Sequence, residues 1–171
     1  MTGFGMCPTC AAEYNDPENR RYFSQTNSCQ DCGIRLTLAD KEGARTQVQT
    51  TVEVVRLIRA GKIVAVKGVA GYLLLCDATN AEAIGRVRAV KQRPAKPLAI
   101  LYPNADAIVS TYFPGARAMA ELISTAGPIV LVRATKKTRQ TIAAETIAPG
   151  LDRLGLMLPN SPPLHLIEIG R

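Results

Sequence analysis

Residues 62–101 read KIVAVKGVAGYLLLCDATNAEAIGRVRAVKQRPAKPLAIL, and the punctuation of this stretch decides the fold class. Residues 63–66 form a largely β-branched run set off by Gly61, and residues 73–76 form a second apolar run set off by Gly71. Continuous apolar runs of this length predict strands buried on both faces rather than half-exposed ones. Gly68 and Gly71 lie between the runs, where backbone can turn at positive φ and a ligand can approach main-chain N–H groups that a Cβ would shield. Asn80 is placed to cap a helix carrying Ile84, Val87 and Val90 on one stripe. That helix ends in charge. Arg86, Arg88, Lys91, Arg93 and Lys96 put five cations within eleven residues, and Pro94 and Pro97 stop the helix and stiffen the exit toward residues 98–101. Cations near a helix C-terminus complement its dipole and keep a surface soluble. The same five side chains also make a rim that suits phosphate.

On either side the pattern continues. Val48, Val52, Val55 and Ile58 recur at helical spacing after Gln47, with Gly61 as the stop, so a helix precedes the first strand. Strand, helix and strand in this order predict an α/β layer, and the fold class expected is α/β with an α+β mixed sheet. Residues 104–113 and 115–126 read as helices, the second with Met119, Leu122 and Ile123 on one side, and residues 128–132 as a third buried strand. Residues 135–141, TKKTRQT, read as a charged, solvated loop. Cys76 is expected as a small core residue. His165, the single histidine, lies between Leu164 and Leu166 and is expected to pack or hydrogen-bond rather than to act as acid or base. No Ser/His/Asp set, no G-x-x-x-x-G-K-[ST] loop and no paired-carboxylate pattern can be assembled, so no catalytic residue is assigned.

The chain has 171 residues, 47% of them apolar, which is enough for one modest core and an appendage. A net charge of +7 and a pI near 9.4 point to an acidic partner, which includes nucleotide phosphate, nucleic acid and an acidic protein face. Nothing reads as a signal peptide or an apolar membrane span, so the cytoplasm is the expected compartment and no membrane partner is expected.

Four of the five cysteines form the strongest local signal. Cys7, Cys10, Cys29 and Cys32 are spaced C-x2-C-x18-C-x2-C, which suits a closed four-thiolate Zn2+ site of structural rather than catalytic type. Disulfides are the competing reading and fit poorly with a reducing compartment. The polar insert, residues 13–23, is expected to be hairpin-like and held by the metal. Residues 38–46, LADKEGART, read as a linker, which divides the chain near residue 45 into a zinc module, 1–45, and an α/β domain, 46–171.

Several segments together resemble HypF-type carbamoyltransferases. Lys91-Gln92-Arg93-Pro94-Ala95-Lys96-Pro97-Leu98 resembles the basic segment of YrdC-like domains, and Lys67-Gly68, Gly71-Tyr72, Leu74 and Cys76-Asp77-Ala78 resemble the HypF form of that domain. Glu13-Tyr14, Asp16-Pro17, Asn19-Arg20-Arg21 and Cys32-Gly33 match the HypF zinc motif, with Ile34 where that motif has proline. Residues 147–151 and 154–166 are similar to a further HypF stretch, departing from it at Asn160 and Pro163, and Ala70 departs in the glycine turn. The resemblance implies a YrdC-like fold that forms carbamoyl-adenylate from ATP, with Mg2+, and a carbamoyl donor. It further implies transfer to the C-terminal cysteine of an acceptor protein in [NiFe]-hydrogenase maturation. Lys67, Gly68, Gly71, Tyr72, Lys91, Arg93 and Lys96 are the expected nucleotide- and substrate-binding residues. Because the family's serine- and asparagine-containing segment does not precede Arg171, a fragment or shortened homologue is expected, with ATP binding but inefficient turnover. The alternative is a non-catalytic zinc protein that holds RNA or DNA on the same basic face.

Overall fold

The structure is a computed structural model that describes residues 5–46, 50–68 and 71–169. The expected helix start at Gln47 and Val48, and Val69-Ala70 of the glycine turn, lie outside the described residues. The chain divides into two compact units, Met1–Thr50 and Thr51–Arg171.

In the first unit, α1 (Pro8–Asn15) starts at Cys7, whose extended backbone caps it, with Pro8 at a position where a missing N–H costs nothing. Turns replace the hairpin expected of the insert. Asp16 and Asn19 side chains accept from the N–H groups of Glu18 and Arg21, each at 3.0 Å, a local bonding pattern that competes with strand pairing. Residues 38–46, expected as a linker, instead form a small antiparallel hairpin of β1 (Leu38–Ala39) and β2 (Arg45–Thr46). Asp40 closes its turn by accepting from Glu42 and Ala44 N–H groups, and Gly43 supplies φ +89°.

The second unit opens with α2 (Thr50–Arg59), which buries Val54 and Val55 and leaves Val52 exposed, against the expected stripe. β3 (Val64–Gly68) and β4 (Gly71–Leu75) pair as an antiparallel hairpin in which Lys67 faces Tyr72 and Gly68 faces Gly71. They are not buried on both faces as expected. Val64 is buried, its neighbour Ala65 is exposed, and Tyr72 and Leu73 are open to solvent, because this is a two-stranded sheet with only part of its surface covered.

α3 (Ala81–Lys91) begins as expected, with the Asn80 side chain accepting from the Ala83 N–H. It buries Ile84, Val87 and Arg88, while Val90 is 70% exposed, so a cation takes the inward place expected of a valine. β5 (Ala99–Leu101) leads to α4 (Ala105–Tyr112), capped by Asn104, and to α5 (Ala116–Leu122). Leu122 is buried but Ile123 is not, since α5 has ended before it. β6 (Val130–Arg133) alternates rather than staying buried, with Leu131 exposed, because it is an outer strand of its sheet. Residues 135–141 are not a loop: Thr135 caps α6 (Lys136–Thr141) by accepting from the Thr138 N–H. α7 (Ala144–Ile147), β7 (Arg153–Met157) and α8 (Pro162–Ile169) follow. His165, expected to pack or hydrogen-bond, is exposed on α8 between buried Leu164 and Ile167.

The sheet order is β5-β7-β6, parallel between β5 and β7 and antiparallel between β7 and β6, so a mixed sheet is present as expected. β7 is its centre. Leu154 and Leu156 are fully buried against Ile100, Ile108, Tyr112 and Val132. Between them Gly155 has no room for a side chain, since a Cβ there would stand 2.9 Å from Ile129 Cγ2. Among the described residues no helix is long and apolar enough to cross a membrane. Leu156→Ala is expected to cost about 2–5 kcal/mol through lost transfer energy and the cavity left behind. A fall in urea midpoint at unchanged slope is the measurement that checks it.

Candidate functional site

The four sulfur ligands are positioned by two local devices. Helix α1 carries Cys7 at its cap and buried Cys10 in its first turn, while a tight turn in which the Gly33 N–H donates to the Cys29 carbonyl at 2.7 Å brings in Cys29 and Cys32. The four Sγ atoms lie within 4.8 Å of one another, with Cys7 and Cys29 at 3.6 Å and Cys29 and Cys32 at 3.9 Å. A tetrahedral Zn2+ with Zn–S bonds of about 2.3 Å requires sulfur separations of about 3.8 Å, whereas a disulfide requires about 2.05 Å. All four cysteines are free thiols. The donor set and spacing therefore fit a Zn2+ held by four thiolates.

The electrostatics call for a cation at the same place. Backbone hydrogen bonds from Cys7 and Cys29 pull the Cys32 thiol down to about 6, whereas burial and the neighbouring sulfurs push Cys10 well above the ordinary thiol range. Four sulfurs this close cannot all ionise unless a cation sits between them. The surrounding motif holds the ligand frame. Glu13 on α1 pairs with Arg21 at 2.7 Å, and this hydrogen bond lowers the Glu13 carboxyl below its usual range. Buried Asn27 donates to the Cys10 carbonyl at 2.9 Å, and the Phe23 N–H donates to the Tyr14 carbonyl at 3.0 Å beneath their two rings. These contacts give Glu13, Tyr14, Asn19 and Arg21 structural work.

In the second unit the expected nucleotide residues stand in two groups on different elements. Lys67, Gly68, Gly71 and Tyr72 are the paired strand ends of the β3–β4 hairpin, where Lys67 Nζ lies 5.6 Å from the centre of the Tyr72 ring. Gly71 has φ +142° with nothing within 4 Å of where a Cβ would be, so this strand end needs glycine for its backbone and leaves open space beside it. Lys91, Arg93 and Lys96 lie at the exit of α3, where Gln92 takes the left-handed conformation, its N–H donating back to Ala89, and the Arg93 N–H returns to the Arg88 carbonyl. Lys91 and Lys96 are exposed. Arg93 is half-buried, its Nη2 donates to the Pro97 carbonyl at 3.3 Å, and its buried Nε has no partner.

The expected rim of five cations is smaller in fact. Arg86 is paired with Glu82 at 2.7 Å and bonded to the Gly61 carbonyl, and Arg88 is 9% exposed and bonded within the fold. Sequence reading placed Arg88 on the surface. The signal that could have moved it inward was its position four residues after Ile84, on the same helix face. A cleft of about 490 Å3 also went unnoticed, lined by Val55, Asp77, Thr79, Tyr102, Thr111 and Ile142 among others and by none of the expected nucleotide residues. Tyr102 in its wall shares a 3.0 Å hydrogen bond with the buried Tyr112 hydroxyl. Cys76 packs against the core as expected, and burial pushes its thiol up.

Residues 56–168 match the Sua5/YciO/YrdC family model, described as "Telomere recombination", and residues 6–39 match the HypF finger. The chain belongs to the Sua5/YciO/YrdC family. Carrying that finger ahead of that domain, it is of the HypF type. Carbamoyltransferase HypF of Rhodobacter capsulatus is 44% identical to it over 168 residues, which take in 98% of this chain and 22% of that protein. Among solved structures, full-length HypF in the phosphate- and nucleotide-bound form is 30% identical with a TM-score of 0.78, covering 98% of this chain and 21% of that one. HypF of T. kodakarensis is 33% identical with a TM-score of 0.81, covering 98% and 22%. The chain thus spans about a fifth of the length of these relatives.

Elemental analysis is expected to give about one zinc per chain, and Cys29→Ser to lose it. Stoichiometric zinc in that variant would remove the assignment. A chelator should disorder residues 5–38 while the second unit keeps its amide protection, since the first unit has little buried apolar surface besides Cys10.

Proposed function

We propose that this chain is the zinc-finger and nucleotide-handling portion of a HypF-type carbamoyltransferase, forming carbamoyl-adenylate from ATP and a carbamoyl donor in [NiFe]-hydrogenase maturation. One observation carries the reading. The basic loop keeps two exposed lysines and a half-spent arginine, with a buried Nε that has no partner, inside a chain that aligns along 98% of its length with a HypF solved in a nucleotide-bound form.

In the proposed reaction a carbamate oxygen attacks the α-phosphorus of ATP, the bond from that phosphorus to the bridging oxygen breaks, and pyrophosphate leaves. Lys91, Arg93 and Lys96 neutralise the polyphosphate, and Arg93 offers the planar fork that suits phosphate oxygens. The main chain at Gly68 and Gly71 approaches the acyl group, with Lys67 and Tyr72 beside it, so the chain's contribution is position and charge rather than covalent chemistry. Bound Mg2+ would add charge neutralisation on the phosphates. The four-thiolate Zn2+ holds the finger and takes no part in the chemistry. The sulfur of an acceptor protein's C-terminal cysteine then attacks the carbamoyl carbon, the bond from that carbon to the phosphate oxygen breaks, and AMP leaves. A nucleic-acid role is weaker, because Arg86 and Arg88 are already bonded within the fold and leave a short cationic strip for a phosphate backbone.

Calorimetry with ATP tests the site. Wild type should bind in the sub-millimolar to millimolar range, as expected of a few charge-assisted contacts each adding about 1 kcal/mol at a partly exposed surface. The Lys91→Ala, Arg93→Ala double variant should lose that binding and keep its circular dichroism. Equal affinity in both proteins would sink the site.

A further inference from the structure

We propose that Arg88 is the positioning residue of the basic loop: its buried guanidinium fixes the backbone on which Arg93 and Lys96 are presented, and thereby sets the affinity for a nucleotide polyphosphate. The affinity half rests on the nucleotide reading above. The positioning half stands on geometry alone.

Residues 92–98 form a segment poor in main-chain donors, because Pro94 and Pro97 have no N–H. Carbonyls in such a segment must find partners elsewhere or face a desolvation cost. Arg88 supplies them. Its Nη1 donates to the carbonyls of Arg93 at 2.8 Å, Lys96 at 3.1 Å and Pro94 at 3.3 Å. The rest of the fork turns to the end of α7, where Nε donates to the Thr146 carbonyl at 2.6 Å and Nη2 to the Ile147 carbonyl at 2.8 Å. Helix ends leave their last carbonyls without partners inside the helix, so donors from other segments complete them. The Leu98 N–H donates to the same Ile147 carbonyl at 3.0 Å and closes the exit of the loop onto α7.

Five main-chain carbonyls thus converge on one buried cation. The guanidinium is suited to this because its donors are spread over a rigid plane and reach two segments at once, whereas a lysine ammonium presents its donors from a single point. The prolines restrict φ at two positions, but they do not choose among the remaining loop shapes. Arg88 does. With the guanidinium gone, the loop samples several conformations and the competent one falls to a fraction of the population, so ATP affinity drops by that fraction. A residue with a merely structural role would lower the melting temperature and leave the affinity of the folded protein unchanged.

The test uses wild type, Arg88→Met and Arg88→Lys, with ATP affinity by calorimetry and amide hydrogen exchange by NMR, each at a temperature where the protein is folded. In Arg88→Met, exchange at the Arg93 and Leu98 amides should accelerate about tenfold with β7 amides unchanged, and ATP binding should weaken about tenfold. Arg88→Lys should move both readouts in the same direction and carries the comparison if Arg88→Met does not fold. Wild-type exchange at both amides in a folded variant overturns the positioning role. Faster exchange with wild-type ATP affinity overturns its link to binding. Absence of ATP binding in wild type removes the nucleotide reading and the affinity half with it, while the exchange measurement still decides whether Arg88 fixes the loop.

Discussion

The place of β7 at the centre of its sheet, with Leu154 and Leu156 buried on one face, is the constraint on which the second unit depends. A strand bonded along both edges with one face in the core leaves no solvent on that face to satisfy a misplaced polar group, so its register fixes what packs against it. Leu154 and Leu156 set the core side of that register, and Gly155 lets Ile129 approach where a side chain would push it away. From β7 the parallel pairing places β5, and β5 continues backward into the basic loop through Leu98. The shape of the candidate site is thus tied to the least deformable part of the domain.

Cations in this chain do two different kinds of work. Arg21 and Arg88 are bonded within the fold, the half-exposed Arg21 holding the ligand-bearing helix through Glu13 and the buried Arg88 gathering carbonyls from two segments. Lys91 and Lys96 remain exposed and available. The difference follows from chemistry. Guanidinium groups stay charged when buried and spread their donors over a plane, while an ammonium is strongly hydrated and favours solvent. A net charge of +7 therefore overstates the charge that a ligand would meet.

The two units also solve the stability problem differently. Among its described residues the first has Cys10 as its buried hydrophobic residue and relies on side-chain to main-chain bonds around four sulfurs, an arrangement whose ligands repel unless a cation joins them. The second has an apolar core contributed by strands and helices together. A metal-dependent unit can come apart without unfolding its neighbour in sequence, since each has its own source of free energy.

The amino-acid sequence by itself determined what depends on near neighbours and on covalent spacing. The four zinc-type cysteines, the cap at Asn80, the glycine at Gly71 and the end of α3 before Pro94 were all legible, because a cap, a turn or a ligand pair is settled within a few residues. The mixed sheet was legible as a class, though β7 as its centre was not. Tertiary structure alone decided which faces of the strands are covered, which is why β3 and β6 alternate and β4 is partly open where continuous burial was expected. It also decided that the charged segment of residues 135–141 is a helix and that the linker of residues 38–46 is a hairpin. Arg88 is the clearest case. Its acceptors at Thr146 and Ile147 lie 58 and 59 residues away, and no local pattern reveals that two sets of unpaired carbonyls will meet around one guanidinium until the fold has brought them together.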